Sequence, residues 1–258
     1  MRTCRLCERR DVYQALGATG LFARTDPAVV SDFSTQLEPQ RFPQGHRIDA
    51  QSDFDGHVYV IVSGKAELTF RCPDGREIGL TVLGPSQIFG VKTLFDPDSR
   101  GFSLTTLTDV VVAPIARDQL LAWMSKRPEI GEQLLRLFAR WAKEAANSLV
   151  DFALADARSR TASRLLMLSQ RFGWRDGDAV RVVHDMALTD FAMLVGAAPH
   201  VVDATLRDFA ESGAIRLERG SVVITDAQAL ESVRLGGRGD RGPAERTHCD
   251  ALSDRERD

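Results

Sequence analysis

The chain has 258 residues, enough for one or two domains with true hydrophobic cores. Its formal net charge of −3 excludes an overall basic field of the kind that draws nucleic acid. No apolar run approaches the roughly 18 residues of a membrane span, and the leader MRTCRLCERR has no apolar stretch of the signal-peptide type. A cytoplasmic chain is expected, with its four cysteines as thiols and not as a disulfide framework.

In chain order, residues 1–10 read as a charged leader carrying Cys4 and Cys7. Residues 11–39 read as helical pieces, one opened by Asp26-Pro27, with Asp as cap and Pro at the first helical position. From residue 40 to about 116 the pattern changes to short β-type runs: 47–50, 58–62, 66–71, 77–82 and 110–115. Turn signals such as Pro73-Asp74-Gly75 separate them, which predicts a small β-barrel or roll. A helix follows over 127–155, with Leu134, Leu137, Phe138, Trp141, Ala145, Ser148, Leu149 and Phe152 at spacings of three and four. Its length suits a coiled-coil-like spine or dimer interface better than a small core. A hinge is expected at Asp156–Arg160, a second helix over 161–172, a loop over 173–178 and a short strand over 180–183. Residues 236–258 hold few apolar side chains and are expected to be disordered.

Residues 188–225 carry the strongest signal. Phe191, Leu194 and Val195 share one face of a first helix, Gly196 supplies a sharp turn, and Val202, Leu206 and Phe209 form the stripe of a second helix. That pattern leaves His200, Asp203, Ala204 and Arg207 facing outward. Residues 215–217 and 222–224, turning at Arg219-Gly220, form a hairpin wing. A helix-turn-helix needs this layout, with the early residues of its second helix at base edges; an ordinary helical hairpin within a core shares it. Residues 155–235 hold 10 Arg, no Lys and 11 Asp or Glu, which disfavours a tight monomeric DNA binder and points to dimerisation. The five histidines have no metal-ligand spacing, and no P-loop, nucleophile elbow or carboxylate pair appears. No enzyme is expected.

A β-roll, a long helix and a winged helix-turn-helix in that order resemble the cAMP receptor protein (CRP/FNR) family of bacterial transcription regulators. The likeness covers about residues 11–233. It rests on Gly20-Leu21-Phe22, Phe42-Pro43-Gln44-Gly45, the run from Val58 to Gly64 followed by Lys65, Phe89-Gly90, and Leu188–Ile224; the segment 208–218 looks most like actinobacterial members. The resemblance implies an α+β fold with five parts: leader 1–10, effector domain 11–126 of cyclic-nucleotide-binding type, dimerisation helix 127–155, winged helix-turn-helix 156–235 and tail 236–258. It implies a homodimer on double-stranded DNA, with RNA polymerase as a further partner and no membrane.

It also implies site residues. A cyclic nucleotide such as cAMP would lie against Phe89, Gly90, Val91, Leu94, Arg100, Gly101, Ala146 and Asn147, with Arg100 at the phosphate. This chain departs from the family there. Val91 stands in place of a ribose-binding Glu and Gly101 in place of a Ser or Thr, with Ser99 or Ser103 as substitutes, and the purine-facing pair falls at Ala145-Ala146. DNA contacts would fall on Thr189, Ala198, Pro199, His200, Asp203, Ala204, Arg207 and Arg219, although Pro199 and Ala204 cannot make the bidentate guanine contacts usual for the family. Some relatives hold an iron–sulfur cluster on N-terminal cysteines. That needs four thiolates as a rule, and Cys72 and Cys249 are poorly placed to join Cys4 and Cys7, so the cluster is not expected. A thiol redox role for Cys4 and Cys7 needs only the pair. Two alternatives stay open: a regulator with a vestigial pocket, constitutive or thiol-controlled, and a sensing module whose helix-turn-helix meets a protein.

Overall fold

A computed structural model describes residues 5–49, 56–91, 95 and 101–236. The expectations placed on Cys4, Leu94, Ser99, Arg100, Cys249 and the tail after Gly236 lie outside these residues.

The N-terminal part is helical. Helix α1 (Arg5–Ala18) begins inside the segment read as a leader; a single 3-10 turn (Gly20–Phe22) and α2 (Pro27–Thr35) follow. Asp26 caps α2 through its side chain, which accepts from Ala28 N at 2.8 Å. Phe22, Phe33 and Trp123 make one aromatic cluster, with Phe33 stacked on Trp123 at 4.1 Å.

The next strands are β1 (Gln40–Phe42), β2 (Arg47–Asp49), β3 (His57–Ser63), β4 (Ala66–Arg71), β5 (Glu77–Leu83), β6 (Ile88–Phe89), β7 (Phe102–Thr106) and β8 (Val110–Ala116). They form two antiparallel four-stranded sheets, β1-β8-β3-β6 and β2-β7-β4-β5. Ile48, Tyr59, Ile61, Leu104 and Val112 fill the space between the sheets, so this is a roll with a packed apolar interior. Strands β1, β6 and β7 were not among the expected runs. β1 and β6 are three and two residues long, too short for an alternation to register, and β7 carries Ser and Thr on its outward face.

Helix α3 (Arg117–Lys126) leads into α4 (Pro128–Leu154), the long helix. The apolar stripe of α4 divides. Leu134, Leu137, Phe138 and Trp141 pack on the N-terminal helices of the same chain, whereas Ala145 and Leu149 stand exposed. Helix α5 (Ala157–Phe172) starts four residues before the expected Thr161. Asp156 makes that start possible, because its Oδ1 accepts from Ser159 N at 2.7 Å and satisfies a first-turn donor. The break between the two helices is therefore only Ala155-Asp156, shorter than the stretch expected as a hinge.

The C-terminal domain adds β9 (Gly173–Asp176), β10 (Ala179–Val183), α6 (Leu188–Val195), α7 (Pro199–Glu211), β11 (Ile215–Glu218), β12 (Ser221–Ile224) and α8 (Ala227–Gly236). The wing is not a lone hairpin, since the sheet order is β11-β12-β10-β9. Residues 173–176, expected as loop, pair with β10 because Gly177 (φ +64°) and Asp178 close a two-residue turn, a hairpin signal that the loop expectation passed over.

The C-terminal domain docks on the outer face of the second sheet. Val82 and Leu107 of the roll share a core with Phe191, Leu194, Val202 and Phe209. Arg171 of α5 donates to Thr81 Oγ1 at 2.6 Å and Val82 O at 3.2 Å, and also to Glu144 at 3.0 Å. Lys65 pairs with Asp185 at 2.7 Å. A Cβ on Gly79 would lie 2.9 Å from Leu194 N, so the backbone of α6 rests directly on β5.

Candidate DNA interface and effector cassette

The helix-turn-helix is built by burial on one side and exposure on the other. Phe191, Leu194, Val195, Val202, Leu206 and Phe209 are all buried. Gly196 takes φ +70° and ψ +41°, the left-handed conformation that ends α6 and turns the chain without the clash a Cβ would bring. Pro199 stands at the first turn of α7, where its missing N–H costs nothing.

Two arginines from α5 set the far end of α6. Arg164, buried at 8% exposure, donates to Leu194 O at 3.0 Å, and Arg160 donates to Val195 O at 3.0 Å and Gly196 O at 3.2 Å. These are the last carbonyls of α6, which have no helical partner and carry the negative end of its dipole. Burial pushes the Arg164 guanidinium below its usual pKa. The sequence reading counted both only in the charge balance of residues 155–235 and gave neither a role in positioning α6. Their spacing of four on a helix beside the first helix of the motif was the signal for a shared structural role.

Ala198, Pro199, His200, Ala204 and Arg207 lie together on the exposed face of α7, and Thr189 is exposed at the start of α6. Arg219 is exposed at the wing turn. Asp203 is not a lone surface acid, because its carboxylate holds Arg207 at 2.8 Å, one helical turn away. A pair this exposed contributes only about 0.3–0.5 kcal/mol, so a phosphate or base edge can take the guanidinium from it. In the wing, Arg181 is fixed by Glu218 and by Asp176 (2.8 Å), which raise its pKa further and remove it from the free cations of the surface.

The cassette residues part company. Phe89 is buried and stacks on Tyr59 at 5.1 Å. Gly90 has φ +85°, and a Cβ there would meet His57 O at 2.8 Å. Val91, 2% exposed, joins the core formed with Val58, Val60 and the N-terminal helices, so it does not face a ribose. Gly101 has φ +86°, and its carbonyl accepts from Arg71 N at 2.7 Å. Ser103 is no substitute donor, since its hydroxyl pairs with Thr69 at 2.8 Å on the outer face of the sheet, opposite the roll interior. Ala146 and Asn147 are exposed on α4. At the described cassette positions Val91 and Gly101 thus supply neither a ribose acceptor nor a hydroxyl donor.

Sequence-family models match both halves: a cyclic nucleotide-binding domain over residues 39–127 and a Crp-like helix-turn-helix domain over residues 159–233. The chain is 43% identical over 217 residues to a CRP-like cAMP-activated global transcriptional regulator of Mycobacterium tuberculosis, covering 84% of this chain and 97% of that one. The chain belongs to the CRP/FNR family. It is also 30% identical to a cyclic AMP receptor protein of Thermus thermophilus, over 84% of this chain and 97% of the relative. FixK2 of Bradyrhizobium japonicum, 17% identical, shares the fold at a TM-score of 0.68 over 76% of this chain and 96% of its own. The chain is accordingly a DNA-binding transcription regulator and not an enzyme. Among the described residues no helix is long and apolar enough to cross a membrane.

Proposed function

We propose that the chain regulates transcription as a homodimer, joined along α4 and reading DNA with α7. The observation that carries the dimer is a seam on α4. Leu135, Ala139, Ala142, Ala146, Leu149 and Ala153 follow a 3.5-residue spacing and are all exposed, with Leu135 and Leu149 each at 71%. An apolar seam of that period is what a second copy of the same helix packs against. The reading set is His200, Asp203, Ala204 and Arg207, with Thr189, Arg219 and the α7 N-terminus at phosphates. With Pro199 and Ala204 where the family carries long polar side chains, the preferred half-site differs from the family's common one. Selection from random duplexes with the wild type, His200→Ala and Arg207→Ala tests this face: unchanged affinity and preference in both variants would remove the assignment.

The relatives' names point to cAMP as effector, and we place it against Phe89, Gly90 and Arg100, with RNA polymerase as a further partner. A second reading is favoured by Val91 and Gly101, which supply no polar group: a regulator whose cassette is vestigial, constitutive or governed by Cys4 and Cys7. Calorimetric titration of the reduced protein with cAMP separates the two. Micromolar binding abolished by Arg100→Ala supports the first reading, and no heat up to millimolar cAMP supports the second.

A further inference from the structure

Among the described residues, Glu67 is the charged-type side chain that the docked arrangement buries without pairing. It lies on β4, 3% exposed, and its Oε1 has no hydrogen-bond partner. Its cross-strand neighbours are Val82 on β5 and Thr105 on β7, so it points out of the roll into the surface that receives α6. Gly79 leaves room for it, since a Cβ there would lie 2.7 Å from Oε1.

The charges around it are unfavourable to a carboxylate. From α6 it faces Asp190, and from β5 it faces Glu77, both acidic. The neighbouring cations are engaged elsewhere: Arg47 and Arg71 on Glu77 at 2.9 and 2.8 Å, Arg164 on Leu194 O, Lys65 on Asp185, and Arg171 of α5 on Thr81, Val82 O and Glu144. Burying an ionised carboxylate beside two others is costly, whereas a neutral carboxyl carries no such penalty. We propose that Glu67 makes the docking of the helix-turn-helix onto the β-roll proton-linked, the neutral carboxyl holding α6 against β5 and the ionised form loosening it. This goes beyond the DNA-binding reading and does not depend on it.

Burial, then Asp190, then Glu77 raise the Glu67 pKa from 4.5 to about 7. A raised acid pKa means the docked form binds the proton more tightly than the undocked form. Docking is therefore strongest at low pH and weakens as pH climbs from 4.5 to about 7, with no further loss above that. Between pH 6 and 7.5 the change is roughly tenfold in the docking equilibrium. His184, in the β10–α6 connection, works the other way. Burial lowers its pKa below 6.5 despite Asp185, so its protonation below that value opposes docking.

Hydrogen exchange of the 188–195 amides in the full-length, DNA-free protein tests the proposal. Wild type, Glu67→Gln and Gly79→Val are compared at matched pH, so that His184 and intrinsic exchange cancel. Gly79→Val is the undocked reference, because its side chain strikes Leu194. Above pH 4.5 the undocked carboxyl is ionised, so the wild type should exchange faster than the permanently neutral Glu67→Gln already at pH 6. The ratio of wild-type to Glu67→Gln exchange should grow about tenfold from pH 6 to pH 7.5. A ratio that stays the same at the two pH values would overturn the proposal, as would a Glu67→Gln protein that exchanges like Gly79→Val at both.

Discussion

Arg164 shows how much of this regulator rests on side chains that never meet a ligand. Its guanidinium is buried, and one of its donors satisfies Leu194 O at the end of α6. A charge-assisted hydrogen bond of this kind contributes about 1.5–3 kcal/mol, and removing the donor strands a buried carbonyl. Arg164→Met keeps most of the aliphatic contact and loses the bond. We expect it to destabilise the C-terminal domain by about 2 kcal/mol in chemical denaturation. Arg158→Met makes the contrast. Arg158 pairs with Asp208 at 2.8 Å with 43% of its side chain exposed, and such pairs contribute about 1 kcal/mol or less. A loss in Arg158→Met as large as in Arg164→Met would mean that exposure is the wrong guide here.

At the scale of elements, α4 does two jobs with two stripes. One, through Leu134, Leu137, Phe138 and Trp141, belongs to its own chain; the other, through Leu135, Ala139, Ala142, Ala146 and Leu149, is exposed. Leu149→Asp places a charge in the exposed seam without touching the first stripe. We expect sedimentation to show a folded monomer where the wild type sediments as a dimer; an unchanged dimer would move the interface off this seam. The sequence made the long helix legible because its periodicity persists for 27 residues. It did not separate the stripes, because both are apolar at helical spacing, and only the position of the N-terminal helices decides which is covered. The same limit explains the other differences. Strands β1 and β6 are too short to alternate, and β9 hides in a polar run. Asp156 signals a helix cap as clearly as a hinge until its bond to Ser159 N is seen. The helix-turn-helix was legible almost residue by residue, since a turn that only Gly196 accommodates and two opposed apolar stripes leave few alternatives. The cassette was legible as a departure from the family, but the diversion of Ser103 to the outer face required the register of β7 against β4.

For the whole molecule, the pairing of charges in the C-terminal domain governs how it meets DNA. Of its arginines, Arg158 is held by Asp208, Arg160 and Arg164 by α6 carbonyls, Arg171 by Glu144 and Thr81, Arg181 by Asp176 and Glu218, and Arg234 by Glu231. Arg175 is exposed on β9, the sheet edge opposite the wing hairpin; those near the reading surface and exposed are Arg207, Arg216 and Arg219, and the first two are paired with Asp203 and Glu218. With Arg207 in the groove and Arg216 and Arg219 at its edge, three such cations per protomer bring about six charges of a dimer into the counterion atmosphere, and each neutralised phosphate charge contributes about −0.9 to the slope of log affinity against log salt. A slope of roughly −5 is expected, shallow for a dimeric DNA binder. Arg219→Ala removes one contact per protomer and should bring the slope to about −3.5 with base preference unchanged, because the wing turn lies apart from the reading set on α7. Fluorescence anisotropy on one selected duplex across a salt series measures both. A slope near −10 would mean that arginines now tied to carboxylates and carbonyls are released on binding, and hence that the domain repacks on DNA.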